Sequence, residues 1–118
     1  VILVDTSVWV NHLRAGDRQL VGLLVAGEVG CHPFVIGELA CGNLHNREEI
    51  LRLLSDLPRL RVAEHGEVMR LIEARTLHGK GLGWIDTHLL ASALLDGAPV
   101  WTLDRSLATA AQSLGIAL

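Results

Sequence analysis

The 118-residue sequence reads as an α/β protein with a mostly parallel central sheet. Two observations predict this. Short, β-branched apolar runs alternate with longer stretches of helical periodicity, the pattern of strands buried on both faces and joined by crossover helices. Several of these runs also end at a residue suited to capping the helix that follows. Half of the residues are hydrophobic but only 3% are aromatic, so the core is built from small and branched aliphatics. The length suits one domain, residues 1–118, with a core of its own.

Residues 1–4 form the first buried strand. Asp5-Thr6-Ser7 then stops the strand and caps a helix running to about Leu13. Asp17 caps a second helix whose apolar side carries Leu20, Val21, Leu23, Leu24 and Val25, and Gly27 ends it. Glu28 to Cys31 is a short strand. Pro33 sits early in a third helix, where its missing N–H costs nothing, and Gly42 lies near that helix's end. Asn46 precedes a fourth helix with a stripe of Ile50, Leu51, Leu53 and Leu54, broken by Pro58. Leu60 to Ala63 reads as a strand, and residues 64–78 as an amphipathic helix burying Val68, Leu71 and Ile72. After the glycine-rich linker 78–83 comes a helix from about Ile85 to Asp96, stopped by Gly97. Strand Pro99–Leu103, helix Arg105–Ser113 and a last short strand, Ile116–Leu118, complete the order.

No apolar run approaches the roughly 20 residues of a membrane-spanning helix. No basic leader with an apolar core opens the chain, so no secretory signal is expected. Cys31 and Cys41 lie near no other thiolate ligand, which argues against a zinc ribbon or redox pair and fits free thiols in a reducing cytoplasm. The net charge of −3 neither requires nor excludes a polyanionic partner.

Four acids stand at awkward positions: Asp5 and Asp104 each end an apolar strand, Glu38 interrupts an apolar helix, and Asp86 opens one. Ligands of parallel sheets lie beyond the C-terminal strand ends. Asp5 and Asp104 follow strands directly. Asp86 opens the helix leading to the strand at Pro99, and Glu38 lies about a turn and a half into a helix starting at the same edge. All four are therefore expected at one edge. Taken singly, Asp5, Asp86 and Asp104 have a simpler explanation as helix caps or first-turn acids, and Glu38 as a solvated helix residue. Together their repulsion calls for protons or a cation, and a divalent metal that prefers oxygen ligands is the simplest neutraliser. Metal ions held by carboxylates supply what phosphodiester hydrolysis needs. Of the six histidines, His12, His45, His65 and His78 read as surface groups and His88 as a packing residue. Trp9, Trp84 and Trp101 read as core or interface residues, with base stacking by Trp84 a lesser alternative.

Val-Asp-Thr-Ser-Val-Trp at 4–9, Gly-Glu-Leu at 37–39, Gly-Trp-Ile-Asp-Thr-His-Leu-Leu-Ala at 83–91 and Trp-Thr-Leu-Asp-Arg at 101–105 form an ordered set that resembles the PIN domain, and closely the VapC toxins of type II toxin–antitoxin pairs. Each piece alone is weak; the order across nearly the whole chain is specific. The resemblance implies a PIN-like three-layer α/β/α sandwich and an endoribonuclease dependent on Mg²⁺ or Mn²⁺. It assigns the acidic positions to Asp5, Glu38, Asp86 and Asp104, and supporting hydroxyls to Ser7 and Thr102. It further implies an RNA substrate, a cognate VapB-type antitoxin and a homodimer. Leu107 departs from the Phe of many members, at a packing position.

A basic rim for RNA is expected from Arg14, Lys80 and Arg105, which adjoin segments ending at the acidic edge. Two other classes remain. An aspartyl-phosphate phosphotransfer protein would need a lysine at the site, and the only lysine, Lys80, lies in the glycine-rich linker. A non-catalytic module would use the acidic edge only to bind a basic partner.

Overall fold

The computed structural model describes residues 1–118. The elements are β1 (Ile2–Val4), α1 (Thr6–Ala15), α2 (Arg18–Val25), β2 (Val29–Gly30), α3 (Pro33–Ala40), α4 (Arg47–Ser55), α5 (His65–Arg75), α6 (Trp84–Asp96), β3 (Val100–Trp101) and α7 (Arg105–Ser113). The sheet has the order β2-β1-β3 and is parallel throughout. Leu3 is paired with Gly30 on one side and Val100 on the other. From β1 the chain steps to one side, then crosses back over β1 to reach β3. With right-handed crossovers, that reversal puts helices on both faces.

The caps are local chemistry. Asp17 Oδ1 accepts the Leu20 N–H at 3.0 Å, and Asp104 Oδ1 accepts the Leu107 N–H at 2.9 Å. Gly97 ends α6 in the left-handed region at φ 61°, which glycine enters without steric cost. Asn46 precedes α4 as expected from its position but makes no capping bond. His12 is tied down: its Nδ1 accepts the Asp17 N–H at 3.0 Å, closing the turn between α1 and α2.

The expected strand 116–118 shrinks to a single bridge, Val100 with Ala117, and the one expected at 60–63 does not form, the only bridge there pairing Cys31 with Arg59 just before it. The reason at 60–63 is competition for backbone donors. The Arg61 N–H goes to Asp96 Oδ2 at 2.6 Å and the Ala63 N–H to Ser92 Oγ at 3.0 Å. The segment is thereby drawn onto α6 instead of extending the ladder. The expected stripes are also narrower. In α2, Leu20 is buried while Val21 and Val25 are 47% and 84% exposed; in α4, Leu54 is buried and Leu53 is 50% exposed.

A core of 20 buried residues joins the sheet to the helices, with Leu3, Val4, Leu89 and Leu90 wholly enclosed. Every residue of α6 from Thr87 to Ala93 is buried. This is the behaviour of a helix that is apolar on all sides. Leu107 is wholly buried, so the shorter side chain at this position fills a core site.

One buried polar knot holds three segments together. His32, fully buried, caps α3 by accepting the Phe34 N–H on Nδ1 at 3.0 Å. Ser92 Oγ gives its only proton to the His88 carbonyl at 2.8 Å. Its 2.9 Å contact with His32 therefore requires Nε2 of His32 to be the donor. His32 is neutral, in one tautomer, with both ring nitrogens used. Burial, and secondarily the nearby His88, push its pKa down to about 4.

The folded state therefore resists protonation of His32 while the unfolded chain accepts a proton near pH 6.5. Stability from this group is complete above that value and is lost as pH falls from about 6.5 to about 4, by about 3 kcal/mol. Thermal melts across this range should show that loss. Asn at position 32 can still cap α3 but cannot titrate, so His32→Asn should start less stable and show a visibly shallower pH slope. The remaining slope belongs partly to His88, which burial also makes harder to protonate. An unchanged slope in His32→Asn would show that His32 is not the titrating group.

Candidate active site

β1 and β3 are neighbours in the sheet, and the chain leaves them in opposite directions: from β1 towards β2, from β3 towards the bridge at Ala117. The crevice beyond their C-terminal ends is the switch point where open parallel sheets bind ligands. Asp5 directly follows β1, and Asp104 lies just past β3.

Asp5 is only 6% exposed. Its Oδ2 accepts the Ser7 hydroxyl and the Thr102 hydroxyl, each at 2.7 Å, and lies 3.4 Å from the Ser7 N–H. Each hydroxyl spends its one proton on the carboxylate and accepts a backbone N–H in turn. Ser7 Oγ receives it from Leu103 at 2.9 Å and Thr102 Oγ1 from Asp104 at 3.0 Å. The 3.2 Å approach between the two hydroxyl oxygens is thus a packing contact, both protons being committed. These relays lock the start of α1 to the loop after β3 and fix the backbone at Asp104.

The other acids are held more lightly. Glu38, exposed on α3, accepts the Thr6 hydroxyl on Oε1 at 2.8 Å. Asp86, partly buried in the first turn of α6, accepts the Gly83 N–H on Oδ2 at 3.0 Å. Asp104 uses Oδ1 to cap α7. All four acids thus hold one oxygen in protein hydrogen bonds and leave the other, Oδ1 of Asp5 and Asp86, Oε2 of Glu38 and Oδ2 of Asp104, without a protein donor. Burial raises the Asp86 pKa first, the negative charges of Asp5 and Asp104 raise it further, and the Gly83 N–H opposes both. Asp5, Asp86 and Asp104 therefore share one electrostatic environment. Thr6, which the sequence reading passed over, links Glu38 to the residue after Asp5; its signal was a hydroxyl adjoining an acid that ends a strand.

No three His, Cys, Asp or Glu side chains are grouped closely enough to hold a metal ion as they stand. Uncompensated carboxylates repel one another, and their fixed oxygens are drawn to different donors, the Ser7 and Thr102 hydroxyls for Asp5, the Thr6 hydroxyl for Glu38 and backbone N–H groups for Asp86 and Asp104. The donor set nonetheless fits a hard cation. It consists of carboxylate oxygens, each acid has one open oxygen, and Mg²⁺ retains several waters and needs few direct protein ligands.

The basic residues are dispersed. Arg14 lines a groove of about 420 Å³ that also includes Glu38 and Leu39. Arg105 is the first residue of α7 and is exposed. Lys80 is exposed in the 78–83 turn, where Gly81 adopts φ 77° and a Cβ would come 3.0 Å from Ser106 Oγ. The turn thus passes so close to Ser106 of α7 that a side chain at position 81 would be crowded. Neither Cys31, buried, nor Cys41, exposed, is in a disulfide. No helix is long and apolar enough to cross a membrane.

The PIN domain family model matches residues 2–112. Ribonuclease VapC32 of Mycobacterium tuberculosis, in strains CDC 1551 / Oshkosh and ATCC 25618 / H37Rv, is 51% identical over 119 residues, spanning 100% of this chain and 96% of its own length. With a parallel α/β fold, acids at its switch point and a likeness that runs from end to end, the chain belongs to the PIN-domain family, in its VapC branch.

Proposed function

We propose that this chain is a Mg²⁺- or Mn²⁺-dependent endoribonuclease, the toxin of a cytoplasmic toxin–antitoxin pair, acting as a homodimer and held in check by a VapB-type antitoxin. The observation that carries this reading is the shared arrangement of the four acids, one oxygen held by the protein and one left open. The name of the 51%-identical relative, a ribonuclease, supports the choice of RNA.

In this reading Asp5, Glu38, Asp86 and Asp104 hold the cation through their open oxygens. When bound, the cation polarises the scissile phosphate and makes a water more acidic. Ser7 and Thr102 orient Asp5 by donating to its other oxygen, as outer partners of a metal ligand do. Thr6 orients Glu38 in the same way. The water oxygen bonds to phosphorus as the bond to one bridging ribose oxygen breaks, and that oxygen leaves with a proton. Arg14, Lys80 and Arg105 supply the positive rim that attracts the phosphate backbone.

Purified Asp5→Asn and Asp104→Asn proteins should fold normally by circular dichroism and lose RNA cleavage to background. Ser7→Ala and Thr102→Val should lose about 10- to 100-fold while still binding RNA. Near-normal cleavage by both Asn variants would defeat the proposal.

Asp86 gives a stability test with a definite sign. Its raised pKa means that the metal-free fold disfavours the ionised side chain, so its stability should rise as pH falls from neutrality through the raised value. Asp86→Asn keeps the acceptor for Gly83 and removes the charge. Its melting temperature without metal at pH 7 should be a few degrees higher, on the order of 1 kcal/mol for a domain of this size, and its stabilisation by added Mg²⁺ should be smaller. A lower melting temperature without metal would contradict the like-charge account.

Arg105→Ala should weaken RNA binding and reduce the log–log salt slope by about one. Unchanged affinity and slope, measured with Mg²⁺ binding intact, would remove Arg105 from the rim.

A further inference from the structure

Between α3 and the first turn of α6 lies a pocket of about 440 Å³ lined by Phe34, Gly37, Glu38, Cys41, Trp84 and Ile85 among others. Phe34, Gly37 and Glu38 of α3 and Cys41, which caps its C-terminal end, recur at spacings of three and four, so they present one helix face. Trp84 and Ile85 belong to the turn that carries Asp86. The pocket thus shares Glu38 with the acidic site and lies within one helical turn of Asp86.

Two features set this pocket apart from an ordinary surface groove. The first is Trp84, which is 41% exposed although its ring is already held in place. It packs against His65 at 5.1 Å and meets His88 edge-on at 5.5 Å and 84°. His88 also packs on Phe34 at 4.4 Å, is 6% exposed, and has no hydrogen-bond partner for Nδ1. An indole fixed on two sides and open on the remainder is a stacking platform whose ordering cost has been met by the fold. The second feature is Gly37. It lies inside α3, where glycine is a poorer helix former than alanine. A Cβ there would meet nothing within 4 Å. No neighbour requires glycine, and its effect is to leave bare backbone at the pocket wall.

We propose that this pocket receives one unstacked base of the RNA beside the scissile phosphate, stacked on Trp84 over the open wall at Gly37, and that Trp84 is a specificity-determining residue. A base fits the chemistry better than a phosphate would. The carboxylate of Glu38 at the pocket repels anions, whereas a neutral ring with polar edges suits an aromatic-lined cavity, which is how unpaired RNA is read. The inference rests on the RNA-cleaving reading above and names where that site obtains its sequence preference.

The test separates the two. Binding is measured on Asp5→Asn protein with Mg²⁺, using four ribohomopolymer pentamers and an abasic pentamer; cleavage is measured on protein with Asp5 intact. At least one base should bind more tightly than the abasic chain. Trp84→Ala should weaken that binding about 5- to 150-fold, and Trp84→Phe should largely restore it. Gly37→Leu should weaken it without lowering the melting temperature. None of these changes should affect the abasic pentamer. Cys41 reports occupancy directly: it is exposed, while Cys31 is buried with its thiol pKa pushed up to about 11, so iodoacetamide should alkylate Cys41 alone, and the preferred pentamer should slow that reaction. Equal losses for abasic and natural pentamers, no base-dependent binding, or unhindered alkylation of the saturated protein would each overturn the proposal. So would Cys41 already blocked in a free dimer, which would assign the pocket to contact between copies. Base-dependent binding without cleavage would leave the pocket standing and count against the nuclease reading alone.

Discussion

The buried carboxylate of Asp5 is the constraint on which the site depends. A carboxylate at 6% exposure needs compensation, and the fold provides it on one oxygen through two short hydroxyl bonds. The donors come from opposite ends of the chain, Ser7 and Thr102. They can reach one atom only if β1 and β3 are adjacent and parallel, as they are. The backbone N–H groups of Leu103 and Asp104 then feed the same hydroxyls. One acid therefore sets the start of α1, the loop after β3 and the place of a second acid. The compensation is incomplete by one oxygen. That asymmetry is repeated at Glu38, Asp86 and Asp104, each of which also keeps one oxygen without a protein donor.

The fold contains a second buried polar knot of the opposite character. Around Ser92, every proton is accounted for: His32 and Ala63 donate to its hydroxyl, which donates to the His88 carbonyl. A fully satisfied network specifies one packing and has no capacity left for a ligand. The contrast between the two knots separates architecture from chemistry. The closed one fastens α3, α6 and the 60–63 segment together; the open one faces the crevice. The distinction also bears on the phosphotransfer alternative. That chemistry needs a lysine beside the acid, and Lys80 lies in the exposed turn that passes close to α7, with no hydrogen bond to Asp5, whose held oxygen is occupied by hydroxyls.

The sequence by itself determined the order of the seven helices and the three paired strands and the strand-end positions of Asp5 and Asp104, because alternating apolar runs and capping residues are local signals. It also carried the four-part motif order that marks the family. Tertiary structure alone decided the rest, because the deciding partners are remote. Strand 60–63 was lost when Asp96 and Ser92 took its N–H groups. His32, which in sequence stands with Pro33 at the start of the third helix, became a neutral core donor only because Ser92, 60 residues on, faces it. Val25 and Leu53 satisfy helical periodicity yet stay exposed, since nothing packs over them. Glu38 has an apolar sequence neighbourhood but an exposed side chain whose hydrogen-bond partner, Thr6, lies 32 residues away. Periodicity states which face of an element is apolar; only the assembled chain settles what that face meets and which buried polar atoms remain unpaired.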